Sequence, residues 1–277
     1  MLGGALLWAH LSPPPDPNLL CTSPRIWLQP DFLSTAEVDQ LLDESAQQAG
    51  SQCWETVSNT QRTAMLESCP VLASSPLMQE IDRRVSEIFQ VNLSHLEHGY
   101  LQEYRPGYVP HNIHLDQGEA MVPARTASAI IYLDDQPVGS GHTIFPLARL
   151  RDEHETAQIA QLGRTSLRAA REVWEGLRGE RALEAGIAAW NPKLRAGRIT
   201  SRFFKPGGYG ESLFALGADH CARGLGVRPT RGTALFFEGR ATDGAETIEA
   251  AHGSCGLPMH AQPKRVLVKL ACDGEVR

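Results

Sequence analysis

Five short β-rich runs, all from residue 101 onward, limit what this 277-residue chain can fold into more than any other feature. They are LQEY (Leu101–Tyr104), ASAIIYL (Ala127–Leu133), TIFPL (Thr143–Leu147), TALFFEG (Thr233–Gly239) and RVLVKLAC (Arg265–Cys272). Each contains β-branched or aromatic residues, which favour strands. Short runs of this kind predict one antiparallel sheet system. The third and fourth are separated by a long stretch, about 149–217, in which Ile159, Leu162, Ala170, Val173, Trp174 and Leu177 recur at helical spacing. That stretch reads as a helical insertion.

Two helices are predicted ahead of the strands. Ser34 and Glu37 form a capping box, and Val38, Leu41 and Leu42 then share one face, so a helix is expected over about 35–48. Ser75 can cap a second helix with Pro76 in its first turn, followed by Leu77, Ile81, Val85 and Ile88 on one face. Both read as supports for the sheet.

Composition excludes several classes. At 42% hydrophobic residues the chain can bury a sizeable core. Its net charge of −6 gives no general attraction to nucleic acid or to an anionic membrane. The 149–198 stretch is locally basic at net +3, which raises contact with a protein partner against the plainer reading of a solvated helix face. No run of about 18 apolar residues encodes a transmembrane helix. The start, MLGGALLWAHL, lacks a Lys or Arg ahead of its apolar residues and makes a poor signal peptide. Pro13 to Pro17 reads as a linker, so residues 1–23 are taken as an N-terminal segment and 24–277 as the folded domain.

The chemistry concentrates in YVPHNIHLDQ (Tyr108–Gln117). On a strand, residues i and i+2 face the same side, so His114 and Asp116 can offer an imidazole and a carboxylate to one metal ion. His111 is out of phase with them. A distant histidine would complete a facial triad of two His and one carboxylate, the arrangement that leaves open positions on Fe(II), and His252 is the candidate. A lone His-x-Asp is a weak motif, and His95-Leu96-Glu97 is a rival pair.

Longer segments give those residues a context. PRIWLQPDFLSTAEVDQLL, EHGYLQEYRPGYVPH, ARTASAIIYLDDQPVGSGHTIFP, ADHCARGLGVRPTRGTALFF and AAHGSC resemble, in order and spacing, segments of the prolyl 4-hydroxylases, iron and 2-oxoglutarate dioxygenases, above all the compact plant and algal type. The resemblance implies an α+β, mainly antiparallel fold: a double-stranded β-helix (jelly roll) with N-terminal supporting helices and the helical insertion. It implies His114, Asp116 and His252 as iron ligands, and Tyr104, Thr143 and Lys264 as contacts to 2-oxoglutarate. Fe(II), 2-oxoglutarate, O2 and ascorbate follow as cofactors and co-substrates. The implied reaction is hydroxylation of peptidyl proline at C4, with succinate and CO2 as co-products, on a proline-containing peptide or protein. A dioxygenase acting on another residue or a small molecule, and a weakly active jelly-roll binding module, are the alternatives.

The likeness has departures. By the Tyr-x-Pro-His wording His111 stands where the family's ligand sits, yet Ile113 follows where an aspartate is required; only His114 has its carboxylate. Ser140-Gly141-His142 replaces the usual Gly-Gly-Glu. Lys264 and Arg265 are alternative cations for the co-substrate, and strand alternation admits only one to the pocket. Arg125 matches a family arginine, with an inward and a surface role both open. Cys221 and Cys255 match cysteine-bearing segments and are expected to pair in an oxidising compartment, which favours the endoplasmic reticulum and secretory pathway over the cytoplasm.

Overall fold

Caps fix the helices. Ser34 and Glu37 exchange hydrogen bonds in both directions, with Ser34 N donating to Glu37 Oε2 at 2.7 Å and Glu37 N to Ser34 Oγ at 3.3 Å. Helix α1 (Thr35–Gln47) begins there and buries Val38 and Leu41. Ser75 Oγ accepts from Met78 N at the start of α2 (Pro76–Phe89), whose Leu77, Ile81 and Val85 are buried. Arg84 on α2 ties the helices together, donating to Glu37 at 2.6 Å and to Phe32 O at 3.1 Å.

The computed structural model describes residues 18–22, 24–47, 74–107, 115–116, 123–137, 140–145, 148, 225–239 and 249–276, with the backbone also of 54–58, 63–67 and 248. Among these, the strands are β1 (Leu19–Thr22), β2 (Arg25–Gln29), β3 (Trp54–Ser58), β4 (Thr63–Glu67), β5 (Tyr100–Tyr104), β6 (Arg125–Tyr132), β7 (Thr143–Phe145), β8 (Leu225–Val227), β9 (Ala234–Glu238), β10 (Gly253–Ser254) and β11 (Lys264–Cys272). The expected insertion at 149–217 lies outside the described residues.

Eight strands form one antiparallel sheet in the order β1-β2-β9-β6-β11-β5-β4-β3, and a smaller antiparallel sheet runs β10-β7-β8. The five runs read from sequence all appear as strands. β1 lies inside the 1–23 segment, and its pairing with β2 carries the sheet back to Leu19. The domain therefore starts before Pro24, because the apolar LLCT run buries Leu20 and Cys21 against the sheet.

Alternation along the large sheet divides the core in two. Trp27, Ala129, Ile131, Phe236 and Leu267 face α1 and α2. Trp27 stacks on Phe236 at 5.6 Å, and Phe89 meets Phe236 edge-on at 5.4 Å. Ile130, Tyr132, Leu235, Phe237, Val266 and Val268 face the other way, onto Phe145, Leu225 and Val227 of the small sheet. Helices, large sheet and small sheet thus make three layers. The polar residues discussed next lie between the two sheets.

Candidate active site

Two clusters of buried polar side chains occupy the inter-sheet layer. The first centres on His252, which precedes β10 and is 4% exposed. Phe237 and Phe145 wall its ring, at centroid distances of 4.6 and 5.5 Å. Nδ1 lies 3.1 Å from Ala250 O, so a proton on Nδ1 is donated to that carbonyl and the Nε2 lone pair points the other way. Nε2 is 3.7 Å from Asp116 Oδ2, and both side chains are nearly withdrawn from water.

Asp116 is held from two sides. Ser128 Oγ donates to Oδ2 at 2.5 Å, and Arg125 Nη1 donates to the Asp116 backbone carbonyl at 3.2 Å. Arg125 in turn forks onto Glu97, at 2.5 and 2.7 Å. Arg125 therefore turns inward.

The donor set fits a first-row divalent ion. An imidazole nitrogen and a carboxylate oxygen 3.7 Å apart are within reach of one ion with ligand bonds of about 2.0–2.2 Å. Each already has an outer partner that fixes its orientation, as metal ligands generally do. His114, the third expected ligand, lies outside the described residues, and so does His111.

The second cluster centres on Lys264, the first residue of β11. Its side chain is fully buried, and Nζ donates to Ser254 Oγ at 2.8 Å. The Tyr104 ring centroid is 4.7 Å from Nζ and that of Tyr132 is 5.9 Å. No carboxylate pairs with this ammonium among the described residues, and burial lowers its pKa to about 7. Thr143 Oγ1 accepts from Tyr132 Oη at 2.8 Å and keeps its own proton for another acceptor. Tyr104 Oη donates to Gln102 at 3.0 Å. The chain approaches the lysine closely at Gly141, where φ is +61° and an added Cβ would lie 3.2 Å from Lys264 Cδ. Burial, with the charges of Lys264 and Arg228, holds the His142 imidazole down at about 4, so it adds no charge here at neutral pH.

The clusters are linked along the chain: Ser254, which accepts from Lys264 Nζ, lies on β10 two residues after His252. Arg265, the rival cation, faces away and forks onto Asp134 at 2.9 and 2.6 Å.

Tyr104, Thr143, Lys264, Asp116 and His252 thus share one layer. Sequence reasoning passes over Ser128, Tyr132 and Ser254, and names Glu97 only within the rival His95-Leu96-Glu97 pair. Ser128 could have been found as the hydroxyl in phase with Ile130 and Tyr132 on the inner face of ASAIIYL, and Ser254 by its two-residue step from His252. Cys255 is disulfide-bonded. Its expected partner, Cys221, lies outside the described residues.

No protein-family model matches the chain, and no curated protein matches it. Among solved structures it is similar to the viral collagen prolyl hydroxylase of Paramecium Bursaria Chlorella virus-1 bound to 2-oxoglutarate, at 14% identity and TM-score 0.47, covering 88% of this chain and 94% of that one. It is similar to a Pseudomonas putida prolyl-4-hydroxylase at 16% identity and TM-score 0.42, covering 91% and 93%. EvdO2 of Micromonospora carbonacea, complexed with 2-oxoglutarate, gives 15% identity and TM-score 0.46, covering 92% and 89%.

Proposed function

We propose that this protein is an Fe(II)- and 2-oxoglutarate-dependent dioxygenase that hydroxylates peptidyl proline at C4. The observation that carries the class is Lys264: a fully buried ammonium with no acidic partner among the described residues, hydrogen-bonded to Ser254, two residues after a histidine that faces a carboxylate. Burying an uncompensated charge is expensive, so such a group is kept for an anionic ligand. A five-carbon dicarboxylate with a keto acid at one end suits both clusters at once.

In this reading His114, Asp116 and His252 hold the metal, and the two facing sheets are the halves of a double-stranded β-helix. Lys264 pairs with the distal carboxylate, while Thr143 donates its free hydroxyl proton to that group and Tyr104 covers it. Ala250 O keeps the proton on His252 Nδ1, leaving Nε2 available. Phe145 and Phe237 keep water from the metal end. The iron, when bound, supplies O2 activation coupled to conversion of 2-oxoglutarate to succinate and CO2, with ascorbate as the supporting reductant.

The peptide substrate and the plant and algal type rest on the sequence resemblance. A disulfide at Cys255 supports an oxidising compartment, hence the secretory pathway. Incubation with Fe(II), 2-oxoglutarate, ascorbate and proline-rich peptides, read by mass spectrometry, should give a peptide carrying one added oxygen at proline. Oxygen on another residue or on a small molecule would keep the class and change the substrate; no 2-oxoglutarate consumption with any acceptor would remove the class.

A further inference from the structure

We infer that Ser128 and the Arg125–Glu97 pair are positioning residues for the metal carboxylate, gripping Asp116 at its side chain and its backbone at once. The inference rests on the proposed function, because it concerns the metal that Asp116 would hold. Asp116 lies on no described strand. Two contacts from β6 hold it. Ser128 Oγ, 2% exposed on the inner face of β6, donates to Oδ2 at 2.5 Å and fixes how the carboxylate is turned. Arg125 Nη1 donates to the Asp116 carbonyl at 3.2 Å and fixes where its backbone sits.

The arginine is itself immobilised. Its fork onto Glu97 occupies Nε and Nη2, leaving Nη1 for Asp116. Glu97 is anchored to the sheet by its own N–H, which donates to Leu270 O at 2.9 Å, and by the neighbouring bridge between Leu96 and Ala271. Arg125 pairs with Cys272 at the same end of β11. Glu97, Arg125 and Asp116 thus form a chain of contacts from the end of the central strand to the metal end of the site. Only a planar fork supplies all of these donors; a lysine reaches Glu97 or the carbonyl, not both.

The test is Co(II) binding to the metal-free full-length chain, followed by calorimetry and by the visible absorption of the bound ion. The wild type should bind Co(II), and Ser128→Ala and Arg125→Ala should each weaken binding about ten- to hundredfold, the usual effect of removing an outer partner of a ligand. Arg125→Lys should recover part of the loss. Because Glu97 acts through Arg125, adding Glu97→Gln to Arg125→Ala should weaken binding little further. If the wild type binds no Co(II), the metal reading itself fails. If the wild type binds and Ser128→Ala and Arg125→Lys bind equally tightly with unchanged spectra, the metal reading stands and the positioning role is overturned. Should Arg125→Ala fail to fold, those two milder variants decide the matter.

Discussion

Lys264 and Lys269 lie five residues apart on β11, 1% and 0% exposed, and point to opposite faces of the large sheet. Their surroundings differ in one respect. Lys269 faces the helices, where Nζ lies 2.6 Å from Asp82 Oδ1 as a charge contact and donates to His98 O at 2.6 Å. Lys264 faces the small sheet and has the Ser254 hydroxyl. Among the described residues, Lys269 has a carboxylate counter-ion and Lys264 has none.

On the proposed function, that difference sets the pH dependence of 2-oxoglutarate binding. Burial lowers the Lys264 pKa to about 7 in the ligand-free protein, and a bound carboxylate raises it again. Above pH 7 binding must therefore take up a proton, and affinity should fall as pH rises, by about tenfold per unit at most. Calorimetry at pH 8 in two buffers of different ionisation enthalpy should show uptake approaching one proton per ligand. Lys264→Ala should abolish that uptake and raise Kd by about a hundredfold, the effect of losing a few kcal/mol of charge-assisted contact. Equal uptake in the variant would assign the proton to another group.

Lys269 should govern stability instead. Asp82→Ala leaves a buried ammonium without its carboxylate and should destabilise the fold by about 3–5 kcal/mol in denaturant unfolding. Gly99→Ala should also be severe, since its φ is +75° and the new Cβ would lie 2.4 Å from Val268 O and 2.6 Å from Lys269 Cδ. Neither change should alter 2-oxoglutarate affinity in protein that remains folded. A large loss of affinity in either would mean that the two faces of β11 are coupled.

Gly141→Ala tests the packing beneath the lysine. With φ at +61° and the new Cβ 3.1 Å from Leu257 Cδ2 and 3.2 Å from Lys264 Cδ, the substitution should destabilise by about 1–3 kcal/mol. It should also raise the Kd for 2-oxoglutarate by displacing the ammonium. Unchanged Kd would show that the lysine stem adapts.

The legible parts of the sequence were those with local causes. The two helices are read nearly to the residue because Ser34, Glu37, Ser75 and Pro76 act within one turn. The five β-rich runs carry their own propensity. β8 and β10, three and two residues long, have no periodicity to read and exist because β7 pairs with both. The inward turn of Lys264, away from Asp134, follows from simple alternation once β11 is known. The contact of Arg125 with Glu97 crosses 28 residues and leaves no local trace. The choice of histidine is likewise ambiguous, because His111 and His114 both precede Asp116 and only His114 stands two residues before it.

Substitution resolves that ambiguity. On the proposed function His114→Ala should abolish iron-dependent turnover, whereas His111→Ala should retain substantial activity, since only His114 forms a His-x-Asp pair with Asp116. The reverse pattern would move the ligand to His111.

If Asp116 and His252 hold a metal beside a dicarboxylate held by Lys264, Fe(II)-dependent release of CO2 from 2-oxoglutarate should separate the wild type from Asp116→Ala and His252→Ala. The wild type should consume 2-oxoglutarate slowly even without peptide, and each substitution should reduce that rate to the level of free Fe(II), because an incomplete ligand set cannot hold the ion. CO2 release by either variant at the wild-type rate, or none above background from the wild type, would contradict that arrangement.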